Sequence, residues 1–196
     1  MQHSPCIELE FEECRQLLGI ARKSISGGRR ARHDTHAEQA QLSPALTVPR
    51  AVFVTLTLQG ALRGCIGSMT PEFELVRAVA ESAFSAAFHD PRFPPLERSE
   101  QAEVIIEISV LSDLQDIQPA DRQSLLAQLR PGLDGLLLEE GRHRSTFLPK
   151  VWQQLPEPEQ FLQQLLLKAG LPRDHWSDSL RFQHYSTLSF SEDDAP

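Results

Sequence analysis

The sequence predicts an α+β fold with a mainly antiparallel sheet flanked by helices. Three observations carry this. Short segments alternate apolar and polar residues, as from Val52 to Leu58 and from Glu103 to Leu111. Turn residues separate several of these segments by only a few positions, which suits hairpins. Helical stretches fall between hairpins and do not follow each strand in regular βαβ order, which argues against a doubly wound parallel sheet. At 196 residues, 40% of them hydrophobic, the chain can bury a sizeable core, and one domain over residues 8–190 is expected.

The elements follow in order. Phe11, Cys14, Leu17, Leu18, Ala21 and Ile25 recur at helical spacing until Gly27-Gly28 interrupts them. From Gly27 to Pro49 the residues are polar and aperiodic, so a long loop over 27–49 is predicted. The segment "VFVTLTL", Val52 to Leu58, reads as a strand; Gln59-Gly60 turns the chain, and Ala61 to Ile66 returns beside it. Thr70 then suits an N-cap and Pro71 a first helical position, with Glu72 and Glu74 at the positive end of the dipole and the helix running to His89. Its stripe of Phe73, Val76, Ala80, Ala83, Phe84 and Ala87 is small enough to approach a sheet closely.

In the next strand Val104, Ile106, Ile108 and Val110 turn inward against Glu103, Ile105, Glu107 and Ser109. A short helix from Asp121 to Leu129 ends at Pro131-Gly132. A second hairpin joins Leu136–Leu138 to His143–Leu148 through a Glu-Glu-Gly turn. After Pro158 a helix closes at Gly170, and Phe182 to Phe190 forms a last strand. Trp152 and Trp176, with Phe147, Phe161 and Leu165, are read as core, and residues 191–196 as a solvated tail.

Charge and composition exclude several function classes. A formal net charge of -8 opposes attraction to phosphate polymers, so nucleic acid is not an expected partner. The run Arg29-Arg30-Ala31-Arg32 is basic but short and lacks interleaved aromatics, so it reads as a solvated loop. His33-Asp34-Thr35-His36 holds compact ligand types without the spacing of a metal framework, and no metal is expected. Phosphate-loop, dinucleotide and serine-nucleophile signatures are missing, and nothing in the composition names a cofactor. Three cysteines without a C-x-x-C pair, no secretory start and no long apolar run suit a reduced cytoplasm without membrane insertion.

The strings "VFVTLTLQGALRGCIGSMTP", "ESAFSAAFHDPRFPPL", "EISVLS", "PGLDGLLLEEG", "FLPKVW" and "FLQQLLLKAGLP" occur in that order. Together they resemble the AMMECR domain family, named in bacteria AmmeMemoRadiSam system protein A, from Phe11 to Phe190. The resemblance implies a compact α+β fold with a small subdomain. It also implies association with MEMO-like and radical SAM partner proteins, and a candidate site in "RGCIG", with no established reaction. Two departures stand out: Ala51 where many relatives have glycine, and leucines around Leu166 where they have a cysteine.

Two readings of the segment stay open. In the first, the protein is an enzyme or ligand-binding component acting on a small anionic molecule. Cys65 is then the nucleophile and Glu107 the acid or base, and Arg63 clamps the anion. Gly64, Gly67 and Ser68 bring backbone close to the ligand, while Asp90 and Arg92 line the mouth. The N-terminus of the helix at Thr70 would favour thiolate at Cys65. In the second, the same segment is a rigid surface through which a non-catalytic accessory domain binds a partner protein, Cys65 being a small filler.

Overall fold

The computed structural model describes residues 7–38, of which 28–38 as backbone alone, and residues 42–194. In chain order the elements are α1 (Phe11–Glu38), β1 (Val52–Leu58), β2 (Ala61–Ser68), α2 (Leu75–Phe88), β3 (Ile105–Leu111), β4 (Gln115–Ile117), α3 (Arg122–Gln128), β5 (Gly135–Glu140), β6 (His143–Phe147), α4 (Pro158–Lys168), β7 (Arg181–Tyr185) and β8 (Thr187–Ser191). The fold is α+β with two separate four-stranded antiparallel sheets. The chain divides into two compact units, one of residues 7–111 and 188–194, the other of residues 112–187.

In the first unit the strand order is β2-β1-β3-β8. Val52, Val54 and Leu56 of β1 and Ile106, Ile108 and Val110 of β3 share one face, packed with Leu17, Ala21 and Ile25 of α1 and Leu75, Val79 and Ala83 of α2. These residues are buried because the period-two alternation of the strands meets the helical stripes. The turn between β1 and β2 takes positive φ at both Gln59 and Gly60, the geometry that matches the twist of a two-residue hairpin. In the second unit the order is β4-β7-β5-β6, with Leu136, Leu138 and Phe182 against Phe161, Leu162, Leu165 and Leu166 of α4. Trp152 is buried there and stacks on Phe161 at 3.8 Å between ring centroids, as expected of a core aromatic. α3 starts at a capping box between Asp121 and Ser124, and α4 stops at Gly170, whose φ is +79°.

Four features differ from the sequence reading. α1 continues through Gly27-Gly28 to Glu38, so the predicted 27–49 loop is helical over much of its length. Two glycines cost a helix only about 1 kcal/mol each, and the Arg, Ala and Glu residues beyond them are good helix formers. Residues 39–41, the side chains of the Arg29 to His36 segment and Cys6 lie outside what is described. α2 begins at Leu75 and not after Thr70; Ser68 Oγ accepts the Thr70 N–H at 3.0 Å, so its capping chemistry makes a local turn instead. The predicted last strand breaks at Ser186 into β7 and β8, which belong to different sheets.

The C-terminal residues are also held, contrary to a solvated tail from 191. Glu192 accepts the Ile106 N–H at 2.9 Å and pairs with Arg22 of α1. Arg22 in turn donates to the Gln101 and Val104 carbonyls at 2.6 Å each. One carboxylate and one guanidinium thus fasten the end of the chain to α1 and to the start of β3. Among the described residues no helix is long and apolar enough to cross a membrane.

Candidate functional site

β2 is the edge strand of the first sheet. Cys65 stands opposite Thr55 of β1, and Thr55 stands opposite Glu107 of β3. The three side chains therefore form a row across three strands, on the face turned away from α1 and α2. Thr55, only 5% exposed, donates its hydroxyl to Cys65 Sγ at 3.4 Å. Cys65 and Glu107 are both half-buried, so the two predicted catalytic residues share a face with one threonine between them.

The backbone of Cys65 is held from the loop that follows α2. Its N–H donates to Asp90 Oδ2 at 2.9 Å, and its carbonyl accepts from Arg92 Nη2 at 3.1 Å. Arg92 also grips Asp90 through Nε at 2.9 Å, Nη2 at 2.7 Å and its own N–H at 3.1 Å. The Asp90 side chain is 2% exposed and that of Arg92 53%. The Arg92 guanidinium, aided by the Cys65 and Arg92 amides and opposed by burial, holds the Asp90 carboxyl well below the usual carboxylate range. Arg92 is raised in return, chiefly by Asp90, with burial opposing and the Cys65 side chain a lesser contributor.

Arg63 goes elsewhere. The register between β1 and β2 shifts by one residue between Leu56 and Thr57, and Arg63 is the residue left without a partner opposite. Its guanidinium meets Glu100 through Nε and Nη2 at 2.8 Å each and donates to the carbonyls of Pro94 at 2.8 Å and Pro95 at 3.4 Å. The side chain is 12% exposed, and its pKa is raised chiefly by Glu100. Glu100 was not anticipated as its partner; no local pattern signals a contact across 37 positions, whereas the bulge could have been suspected from Gly64 beside Arg63.

The glycines answer to packing. A Cβ at Gly64 would lie 2.2 Å from the Ala86 carbonyl oxygen of α2, and one at Gly67 would lie 2.2 Å from the Val52 carbonyl oxygen. Gly64 is therefore what lets α2 approach the backbone of β2. Ser68 makes the local turn with Thr70. Gly67 and Ser68, but not Cys65, also line a cavity of about 170 Å³ walled by Val52, Ile66, Ala78 and Phe73. Phe73 is 38% exposed, with the Arg77 guanidinium 4.1 Å from its ring.

The site residues thus separate into three groups. Cys65 and Glu107 share the row through Thr55; Asp90, Arg92 and Arg63 hold the edge of β2; Gly67 and Ser68 border the cavity. The helix N-terminus predicted at Thr70 does not serve Cys65. α2 starts ten positions after Cys65, without a side-chain cap, and the Leu75 N–H already donates to the Val48 carbonyl at 3.0 Å. Among the described residues no three His, Cys, Asp or Glu side chains are grouped to hold a metal ion.

A family model described as AMMECR1 matches residues 18–190, nearly all of both units. The chain belongs to the AMMECR1 family. A protein of the archaeon Methanothermobacter thermautotrophicus is 37% identical over 198 residues, spanning 98% of this chain and 100% of its own length. A protein of Methanosarcina mazei is 37% identical over 172 residues, or 84% of this chain and 83% of its own. The crystal structure of an uncharacterized protein from Pyrococcus horikoshii superimposes with a TM-score of 0.82 at 31% identity, covering 94% of this chain and 93% of that one. These AMMECR1 relatives are archaeal, and the Pyrococcus horikoshii structure shares the α+β arrangement described above.

Two outcomes are expected of this AMMECR1 site. Gly64→Ala should destabilise the protein by about 1–3 kcal/mol in urea unfolding, because the new methyl group meets helix backbone that cannot rotate away. Asp90→Asn should cost stability at neutral pH, and the gap to the wild type should close on acidification. Because the folded pKa of Asp90 is depressed, its contribution is complete above the ordinary aspartate range, near pH 4, and is lost as pH falls toward the folded value. Unfolding curves at pH 7 and pH 3 test this; a gap independent of pH would refute it.

Proposed function

We propose that this AMMECR1 protein is a non-catalytic binding component that receives an apolar side chain of a partner protein in the cavity beside Gly67 and Ser68. The Arg63 to Cys65 segment is its rigid frame. The observation that carries this reading is that Arg63 and Asp90, charged residues of the signature, are both taken up inside the chain. An anion at Arg63 would have to displace Glu100 and two prolyl carbonyls from a nearly covered guanidinium. The cavity, by contrast, is mostly apolar, with Phe73 exposed by 38% and polar residues such as Arg50 and Glu72 around it. Such a pocket with a charged surround is how a single apolar anchor is held at a protein interface.

The partners to test are the MEMO-like and radical SAM proteins that the family resemblance suggests. Ala78→Leu, which fills the cavity from α2, should weaken binding of the purified partner about tenfold or more while circular dichroism stays unchanged. Equal affinity of the wild type and the variant, or no binding of either partner, would sink this reading.

A second reading rests on the Thr55 hydroxyl that donates to the Cys65 sulfur and on the Arg92 guanidinium bound to the Cys65 carbonyl. In it Cys65 is the nucleophile, with Glu107 two strands away on the same face as acid or base toward a small anionic substrate. Burial, helped by the Glu13 charge, pushes the Cys14 thiol up. Iodoacetamide at neutral pH should then alkylate Cys65 well before Cys14, as read by peptide mass spectrometry. Slower labelling at Cys65 than at Cys14 would remove the nucleophile.

A further inference from the structure

We propose that the second unit carries a separate binding site for a guanidinium or ammonium group, where the ends of β4 and β7 meet residues 176–180. It lies within residues 112–187 and shares no residue with the Gly67–Ser68 cavity, so it stands or falls independently of the function proposed above.

The cavity there has a volume of about 610 Å³, within the ~300–1,000 Å³ usual for small-molecule sites. Trp176 forms part of its wall and is half-buried. Its indole stacks on the buried Phe182, with centroids 5.7 Å apart and planes 18° from parallel. Phe182 belongs to the core of this unit, so the indole is held in orientation where it lines the cavity, and an aromatic ring at a cavity wall attracts a cation.

Charge selects the sign of the ligand. Asp116, Glu139 and Asp178 line the cavity against one cation, Arg181. Arg181 Nη1 is already held to the Asp178 carbonyl at 2.7 Å and the Leu180 carbonyl at 3.0 Å, and Glu139 pairs with Arg144 at 2.6 Å. The other two acids are not neutralised in this way. Among the described residues Asp116 accepts only from a neutral amide, Gln183 Nε2, at 2.8 Å. The Asp178 carboxylate has no hydrogen-bond or ion-pair partner among the described residues. Two carboxylates short of a cation, beside a fixed indole, suit a flat, weakly hydrated guanidinium best and an alkylammonium next. An anionic ligand would be repelled by the same groups.

This chemistry comes from two sources, a free amine or guanidine metabolite and an arginine side chain in a peptide. The test is titration of the intact protein, followed by tryptophan fluorescence, with agmatine, with acetyl-Gly-Arg-Gly-amide and with acetyl-glutamate as the anionic control. Both cationic probes should give a saturable change that Trp176→Phe abolishes. The double variant Asp116→Asn, Asp178→Asn should weaken it about tenfold while keeping the wild-type circular dichroism and thermal midpoint. Tighter binding of the peptide assigns the site to an arginine side chain, and tighter binding of agmatine to a free metabolite. No saturable change with either cation, an equal response to acetyl-glutamate, or a response untouched by the double variant would overturn the proposal.

Discussion

Asp90 closes the free edge of β2, and the arrangement of the first unit around the signature depends on that contact. An edge strand presents unpaired amides and carbonyls that must find water, a ligand or another part of the chain. Here one buried carboxylate takes the Cys65 N–H while Arg92, bound to that carboxylate, takes the Cys65 carbonyl. Burying the carboxylate is unfavourable alone and is offset by the guanidinium and by two backbone donors. Arg63 completes the edge in the opposite sense, reaching from the strand to carbonyls of the loop. The Leu96 N–H returns to the Ala87 carbonyl at 2.8 Å, so the same loop is tied to the end of α2. Gly64 is the counterpart of these bonds, because only a residue without Cβ admits Ala86 at that distance.

This lock explains why the most distinctive strings of the sequence look catalytic. An arginine, a cysteine and glycines close together, with an Asp and an Arg further on, are residue types shared by anion sites and by edge closures. The difference lies in which partner each polar atom has, and partners across 25 to 37 positions are invisible to local patterns. Elements whose rules are local were legible. Alternation in β1 and β3 located the buried face, and Asp121 and Gly170 marked helix ends by their own capping chemistry.

Where local rules were ambiguous, context decided. Ser68, Thr70 and Pro71 serve equally as a helix start or as a turn, and the bridge between Pro49 and Glu74 selects the turn by bringing the preceding segment alongside. A pair of glycines ends a helix only when nothing beyond them prefers to continue it, and in α1 the following residues do. Ser186 interrupts an alternation that would otherwise read as one strand, and its N–H is bound by Ser112 Oγ at 3.0 Å, where the chain passes from one sheet to the other. The row through Thr55 required the register of three strands, of which the sequence suggests only the β1–β2 hairpin.

The ion pair that closes the edge is asymmetric, and this bears on how an anion would approach the segment. Asp90 is covered, but the guanidinium of Arg92 is half exposed and, among the described residues, bonds through Nε and Nη2 alone. Arg63 is nearly covered, and all three of its nitrogens are bound. An anion drawn to this edge therefore meets Arg92 first. Reaching Arg63 would require opening the loop. The loop after α2 thus commits one carboxylate and one guanidinium to the backbone of Cys65, and architecture takes up the charges that a sequence pattern alone would assign to a ligand.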